Sequence, residues 1–489
     1  MANVPLSWVS TAADSKECGH ADLEQAKAAL GPSATHGSPE NHAAPLPSSS
    51  TPEKHDERTP IWRQIVLAWH PAKNFQGVWK RPPGALAALD GLRALAVTWV
   101  VMFHCIATWA GMGSHGPGNY DQVYKLWVIQ PALSGDLGVD IFFVLSGFLI
   151  ALQAVRELRR TGTVCFGAFL FARWWRIAPT YYLAMIPVLL VNIFNSREVC
   201  TWSSVWGNLL FVNNMQQHDL GVPGTVCMVW TWSIGMEMQF YLITPWIIRV
   251  ACRPDGVPRR FCFTGLLLLS AVFVVVRALM LAYVHDGPGA PPQMTNVLWT
   301  RAHVYLAGIA ACLAYTQAGP PAEEVAVWVR CARRGCDLVC AALIVAIAFS
   351  GNGMNLARPV ALLAPRWVNS FLIVSSQGLL GVAVAWWAYR ACAGQTPWVN
   401  RVLSSPLWVP FARLSYTAYL LQFLALVPLE RQWKVFRAQT DVGVTVVEWL
   451  AFCVVALAGV FAVALVFHLL VEAPSLRLRK LVTPRIWQR

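Results

Sequence analysis

The segment Asp90 to Cys105, DGLRALAVTWVVMFHC, carries Arg93 and His104 in an otherwise apolar stretch. A separation of eleven residues corresponds to about three helical turns and ~16 Å of rise, so both side chains lie on nearly one helix face. If Arg93 lies at a headgroup boundary, His104 lies near the middle of a hydrocarbon layer roughly 30 Å thick. An ionisable side chain at that depth is costly and therefore indicates a functional site.

Two further polar side chains, Ser146 and Glu237, lie at a similar depth in later apolar segments. Counting about 1.5 Å per residue from Arg156 and Arg249 places them ~15 Å and ~18 Å from the same boundary. Because a carboxylate and an imidazole in one dry cavity can exchange or orient a proton, we predict that Glu237 positions His104 or acts as a second acid/base group. The alternative is a buried ion pair that only fixes helix packing.

Ser146 has two interpretations. It is either a nucleophile activated by His104 or a small residue that permits close helix approach beside Gly147. We favour the packing role. Asp140 lies nearer the outer end of the same segment, where it either caps the span or contacts an acceptor.

A pair of arginines opens a third apolar segment, RWWRIAPTYYL, in which Arg173 and Arg176 are three residues apart and share a helix face. Two guanidinium groups at this spacing either bind the phosphates of an anionic cytosolic cofactor or set topology and contact lipid headgroups. Arg301 and His303, and Arg413 near the middle of a later span, are further candidates for the same cavity.

The composition indicates an all-α polytopic membrane protein. The 489 residues are 56% hydrophobic and 13% charged, with a mean hydropathy of +0.47. A soluble domain carries about 25% charged residues. The net charge of +13 is spread between apolar segments without a basic tract, which argues against nucleic acid as a partner.

Ten apolar segments predict about ten transmembrane helices that enclose a polar cavity. They cover residues 90–110, 136–155, 173–195, 228–249, 261–284, 298–316, 336–350, 368–389, 406–427 and 444–470. Lys and Arg are dense after the second, fourth and sixth segments, so both termini are expected in the cytosol.

Four regions follow from this pattern. Residues 1–60 are expected to be a disordered cytosolic tail, 61–88 an interfacial or linker segment, 89–472 the transmembrane domain and 473–489 a basic cytosolic tail.

The thirteen cysteines do not form a disulfide-rich framework, because most lie in apolar segments. Cys200 and Cys227 share one polar connection on the predicted non-cytoplasmic side, where the bridged and free states are equally plausible. Cys331, Cys336 and Cys340 lack a second ligand pair with zinc-site spacing, so no metal site is expected.

The motifs resemble those of the membrane acyltransferase 3 family across nearly the whole predicted membrane region. Arg93 and His104, within LDGLRALAV, resemble its R-x10-H signature. GDLGVDIFFVLSGFLI, RWWRIAPTYYL, WTWSIGMEMQFYLITP, LSYTAYLLQ and VEAP are similar to its later motifs in the same order. Trp230 and Gln422 stand where many bacterial members have His, a pattern that looks more like the eukaryotic branch with the nose-resistant-to-fluoxetine type.

The resemblance implies an O-acyltransferase that moves an acyl group, most often acetyl, from cytosolic acetyl-CoA to a hydroxyl of a glycan, lipid or secreted small molecule. His104 is then the central catalytic residue, either a general base or a transient nucleophile, with Glu237 and Arg93 as catalytic partners. Arg173 and Arg176 hold the CoA phosphates, and no cofactor is bound permanently.

The alternative from a different class is a proton-coupled transporter of a lipid or small solute that uses the same polar residues. No inverted repeat with paired Gly/Pro-broken spans is visible, which weakens this alternative.

Overall fold

The computed structural model describes residues 60–82, 85–113, 126–194, 202–216, 227–284, 296–318, 326–349, 366–437 and 445–483. The predicted disordered tail, apart from its last residue, lies outside this part of the chain. Within it the architecture is helical and contains no strand, and one isolated bridge joins Cys252 to Pro258.

The described α-helices are, in chain order, α1 Ile61–Ala68, α2 Pro71–Trp79, α3 Ala88–Gly113, α4 Gln130–Leu133, α5 Gly138–Thr161, α6 Phe166–Phe194, α7 Val205–Leu209, α8 Asn213–Gln216, α9 Trp232–Ala251, α10 Cys262–Val284, α11 Leu298–Gln317, α12 Val327–Ala348, α13 Arg366–Cys392, α14 Pro397–Leu403, α15 Trp408–Arg437, α16 Val446–Phe467 and α17 Ala473–Val482. Short 3-10 turns occur at Trp127–Ile129, Gly135–Leu137, Trp202–Ser204 and Val229–Thr231, and a π-helical turn at His468–Glu472.

A long helix occurs at each of the ten predicted apolar segments. Four stretches of the described chain are long and apolar enough to cross a membrane, namely Ala88–Ile106, Trp127–Thr161, Cys262–Met280 and Val446–Arg479. The seventh long helix, α12, begins at Val327 and not near residue 336. The arginines that follow the sixth apolar segment, Arg330, Arg333 and Arg334, were expected in a loop. They lie in the first turns of α12 instead, because arginine is a good helix former.

Helix α5 lies at the centre of the bundle and packs closely against α11. A Cβ atom added to Gly147 would collide with the carbonyl oxygen of Tyr305, and one added to Gly308 would collide with that of Val144. The absence of side chains at these two glycines therefore lets the two backbones approach each other directly.

Local signals fix the ends of several helices. Helix α5 stops at Gly162, whose φ of 74° is the left-handed conformation that glycine adopts most easily. Helix α16 starts with a capping box, in which the Thr445 hydroxyl accepts from the backbone N–H of Glu448 at 3.2 Å and the Glu448 carboxylate accepts from that of Thr445 at 2.9 Å.

A buried amide cluster fixes the start of α9. The Asn208 side chain donates to the hydroxyl of Tyr181 at 2.8 Å and to the carbonyl of Cys227 at 3.0 Å. The Asn213 side chain donates to the hydroxyl of Thr231 at 3.1 Å. Cys227 is disulfide-bonded, while Cys200, for which the sequence left the bridged and free states open, lies outside the described residues.

The predicted interfacial segment folds into α1 and α2, which leave large apolar side chains such as Ile61 and Trp62 exposed. These helices are attached to the π-helical turn at the end of α16. The indole N–H of Trp69 donates to the carbonyl of Leu470 at 2.9 Å, and the Asn74 amide donates to that of Leu469 at 3.3 Å. The π-helical turn thus offers carbonyl groups that the two N-terminal helices satisfy.

Candidate active site

A cavity of about 140 Å³ lies between α3, α5, α6, α9 and α15. Its polar lining consists of Arg93, Ser146, Arg173, Arg176, Ser233, Glu237, Tyr241, Ser415, Tyr416 and Tyr419. Apolar side chains of α5, α6 and α9 complete the wall. Three guanidinium groups and one carboxylate therefore share one enclosed space.

Glu237 is the hydrogen-bonding centre of this cavity. Its Oε1 accepts from the Ser146 hydroxyl at 2.7 Å and also from the phenol of Tyr241. Tyr241 follows Glu237 by one helical turn on α9, so helix geometry alone brings these two side chains together. Ser146 comes from α5, and the serine–glutamate contact therefore joins two helices across the cavity wall.

The three arginines differ in how they are held. The Arg173 guanidinium donates to Oε1 of Gln153, which fixes it against α5. Arg93 lies 3.8 Å from Asp90, whose other carboxylate oxygen accepts from Arg81 at 2.7 Å. Arg176 is solvent-exposed, so it is the arginine of this group that is most open to an arriving anion.

Tyr419 of α15 also lines the cavity. Its hydroxyl lies 2.7 Å from the Ser233 hydroxyl and donates to the backbone carbonyl of Trp230. The Tyr416 hydroxyl, one turn earlier on α15, donates to the carbonyl of Ile177 at 3.0 Å.

His104 is not among the described residues that line this cavity. Its Nδ1 lies 3.0 Å from the carbonyl oxygen of Val100. Since a carbonyl only accepts, Nδ1 carries the hydrogen and Nε2 presents its lone pair. The ring is half-buried and packs edge-to-face against Phe103 and Phe423, with centroid distances of 5.3 and 5.0 Å. The structure brings Ser146 to Glu237, whereas the ring nitrogen Nδ1 of His104 bonds within its own helix.

Of the two positions that depart from the bacterial motifs, Gln422 faces His104 directly and Trp230 is separated from it by the ring of Phe423. Trp230 packs against Phe423 at a centroid distance of 4.6 Å, and Phe423 in turn contacts the imidazole. The fully buried Gln422 side chain faces the same ring and donates from Nε2 to the carbonyl of Tyr419 at 3.0 Å.

Asp140 and Arg301 pair with each other away from the cavity. Their side chains approach to 2.5 Å in complete burial, and the Arg301 guanidinium lies over the ring of Trp232 at 5.3 Å. His303 lies close to Gly378 on α13. Of the five residues that the sequence nominated as possible cavity members, only Ser146 lines it; the others are Asp140, Arg301, His303 and Arg413.

Arg413 was predicted near the middle of its span, and this position is wrong. Helix α15 extends from Trp408 to Arg437, so Arg413 lies in its second turn and donates to the carbonyl of Lys80 at 3.3 Å. The helix continues beyond the apolar segment into turns with charged side chains. An ion pair of 2.7 Å between Lys434 and Glu430, one turn apart, supports the helix there.

The sequence did not predict the positions of two cavity-lining residues, Tyr241 and Tyr419, or of one buried pair outside the described lining. Tyr241 could have been found from its spacing of four residues after Glu237. Tyr419 could have been found from its place in the LSYTAYLLQ motif. The buried pair of His468 and Glu472, with 2.7 Å between Nδ1 and Oε2, has the same four-residue spacing and lies in the π-helical turn.

The fold and the site define an all-helical membrane protein with an arginine-rich cavity. Residues 86–467 match the acyltransferase 3 family model, described as an acyltransferase domain, so the chain belongs to that family.

Two kinds of relative accompany this match. "Nose resistant to fluoxetine protein 6" of Caenorhabditis elegans is 23% identical over 440 residues, which cover 81% of this chain and 51% of that protein. "Peptidoglycan O-acetyltransferase OatA" of Listeria monocytogenes is 28% identical over 202 residues, covering 39% of this chain and 28% of that protein.

"O-acetyltransferase OatA" of Staphylococcus aureus is 26% identical over 211 residues, covering 40% of this chain and 30% of that protein. The chain thus spans about half the length, or less, of these relatives. No solved structure gives a significant match.

Proposed function

We propose that this protein is a membrane O-acetyltransferase that moves the acetyl group of cytosolic acetyl-CoA to a hydroxyl of a glycan, lipid or secreted small molecule. The observation that carries the proposal is the cavity in which Arg93, Arg173 and Arg176 accompany Glu237 and Ser146. A phosphate-bearing donor needs guanidinium groups, and acyl transfer to a hydroxyl needs a base.

The donor enters at the arginines in this proposal. Arg176, exposed at the cavity, and Arg173, held by Gln153, bind phosphate oxygens of CoA, and the pantetheine arm carries the thioester toward Glu237. Arg93 stabilises the same phosphates or the charge that develops on the thioester.

His104 is the acceptor-side base in this proposal. With the hydrogen on Nδ1 directed at the carbonyl of Val100, Nε2 carries the lone pair that takes the proton of an acceptor hydroxyl. Glu237 and His104 act here without direct contact, because His104 does not line the cavity that contains Glu237. This differs from the expectation that Glu237 orients His104.

We place this chemistry in a ten-span membrane domain with both termini in the cytosol. The long helices at the ten apolar segments support this arrangement, as do the four stretches that can cross a membrane. CoA is a substrate here, and the proposal assigns no metal and no permanently bound cofactor.

The test is release of CoA from acetyl-CoA by the purified full-length protein in lipid vesicles. Total membrane lipid, oligosaccharides and small alcohols serve as acceptors. We expect acceptor-stimulated release in the unaltered protein and its loss in His104→Ala. A matched control is His70→Gln, which changes an imidazole at the start of α2. Acetyl-CoA-independent proton uptake without CoA release would instead support the transporter.

A further inference from the structure

The structure separates two roles that the sequence combined at Ser146. Gly147, the next residue, faces α11, where a Cβ atom would collide with the carbonyl oxygen of Tyr305. Ser146 is about 100° further round the helix and lines the cavity. The close helix approach therefore belongs to Gly147 and Gly308, and the packing explanation does not account for a hydroxyl at Ser146.

The hydroxyl of Ser146 also has an unusual partner for a helical serine. Serines inside helices commonly donate to a carbonyl one turn earlier, as the Ser375 hydroxyl does to Phe371 at 2.6 Å. Ser146 instead donates to Glu237 at 2.7 Å. A hydroxyl bonded to a carboxylate inside a cavity is the arrangement of an activated nucleophile and its base.

The surroundings hold this pair in place. Ser146 is positioned by the packed α5–α11 backbones, and the second donor to Oε1 of Glu237, Tyr241, fixes the carboxylate. Arg173 lies within 5.9 Å of the Tyr241 ring centroid, so a cation accompanies the carboxylate. The dyad lines the same cavity as the three arginines, whereas His104 is not among its described lining residues.

We propose that Ser146 is the residue that first accepts the acyl group, with Glu237 as its general base; this step rests on the proposed acyl-CoA donor. Glu237 takes the hydroxyl proton, Oγ attacks the thioester carbonyl, and the carbon–sulfur bond breaks. The departing thiolate takes the proton from Glu237 and leaves as CoA thiol. An acceptor oxygen then attacks the carbonyl carbon of the Ser146 ester while His104 takes the acceptor proton. The bond between that carbon and Oγ breaks, and Oγ regains a proton as His104 releases one.

The experiment mixes the full-length protein in lipid vesicles with [1-¹⁴C]acetyl-CoA in the absence of acceptor. Chromatography quantifies CoA, and mass spectrometry locates the label. We expect a burst of about one equivalent of CoA per protein, the sign of an accumulating acyl-enzyme, with the label on the peptide that contains Ser146. Ser146→Ala loses both, and the matched control Ser375→Ala keeps both.

A second variant removes the dependence on the folding of Ser146→Ala. Ser146→Cys keeps a nucleophile and converts the intermediate to a thioester, so neutral hydroxylamine should release the label from the variant but not from the unaltered protein. His104→Ala should keep the burst and fail to pass the label to membrane acceptors.

The outcomes separate the two proposals. A burst that survives in Ser146→Ala, or a label on Tyr241 or His104, overturns the role of Ser146 and leaves the acetyltransferase intact. Acceptor-dependent CoA release without any covalent label likewise overturns the role of Ser146 and leaves the acetyltransferase intact. No CoA release under any condition overturns both.

Discussion

Asp140 of α5 and Arg301 of α11 form an ion pair of 2.5 Å in which neither side chain is more than 1% exposed. The pair joins the two helices that also meet through Gly147 and Gly308. Both charges have left water, so each helps to compensate the other.

Removing one member of this pair should destabilise the fold strongly. We expect Asp140→Asn to lower the free energy of unfolding by about 3–5 kcal/mol, because a buried guanidinium loses its carboxylate. The double variant Asp140→Leu with Arg301→Met should recover much of this loss. Reversible unfolding in mixed micelles measures it.

The control for this prediction is Asp255→Asn, which breaks the exposed pair with Arg253 at 3.2 Å. An exposed pair contributes about 0–1 kcal/mol. Equal effects of Asp140→Asn and Asp255→Asn would show that the buried pair contributes no more to the free energy of unfolding than the exposed pair.

Glycine substitutions should have opposite signs at two places in the bundle. Gly147→Ala forces the α5 and α11 backbones apart and should cost about 1–3 kcal/mol. Gly265→Ala on α10, where a Cβ atom meets nothing within 4 Å, should be neutral or stabilise by up to about 1 kcal/mol. Thermal unfolding midpoints of the two variants compare them directly, and a neutral Gly147→Ala would contradict the close approach.

Arg176 should contribute to the binding of donor phosphates. We expect Arg176→Ala to raise the KM for acetyl-CoA about 10-fold or more with little change in kcat, since a charge-assisted hydrogen bond is worth about 1.5–3 kcal/mol. The same variant should behave like the unaltered protein with S-acetylpantetheine, which lacks the phosphates. Arg253→Ala, in an exposed loop, is the control. A loss that persists with the truncated donor argues against phosphate recognition.

Glu237 should act through its charge and not only through its shape. Glu237→Gln keeps the size of the side chain but removes the base, and should lower kcat by about 10²-fold or more. Tyr241→Phe, which removes one of two donors to the same oxygen, should have a smaller effect. Glu430→Gln, in the exposed region of α15, serves as the control. Full activity in Glu237→Gln would exclude general-base catalysis by this residue.

Hydropathy located the long helices, and depth counting predicted one real contact. Ser146 and Glu237 were assigned similar depths from flanking arginines, and the structure brings them to 2.7 Å. Depth alone does not give the direction of a side chain around its helix axis. His104 was therefore placed beside Glu237, although its ring packs against Phe423 on α15.

The sequence did not predict which side chains of distant segments pair with each other. Asp140 and Arg301 are separated by 161 residues, and their contact depends on the way two glycines allow α5 and α11 to pack. The apolar segment used to place Arg413 is shorter than helix α15, which continues through charged residues to Arg437. Arg413 therefore lies near the beginning of the helix and not near its middle. The close helix approach was assigned to Ser146, whereas the adjacent Gly147 is the residue that faces the carbonyl oxygen of Tyr305.

The attachment of Trp69 and Asn74 to the π-helical turn has a topological consequence. The first and last helices of the described chain are held side by side, and Arg477 of α17 also donates to the carbonyl of Leu67 at 3.4 Å. Hydrogen bonds thus join helices that lie at opposite ends of the described chain. A circular permutant that links α17 to α1 and is cut in an exterior loop would therefore preserve these contacts.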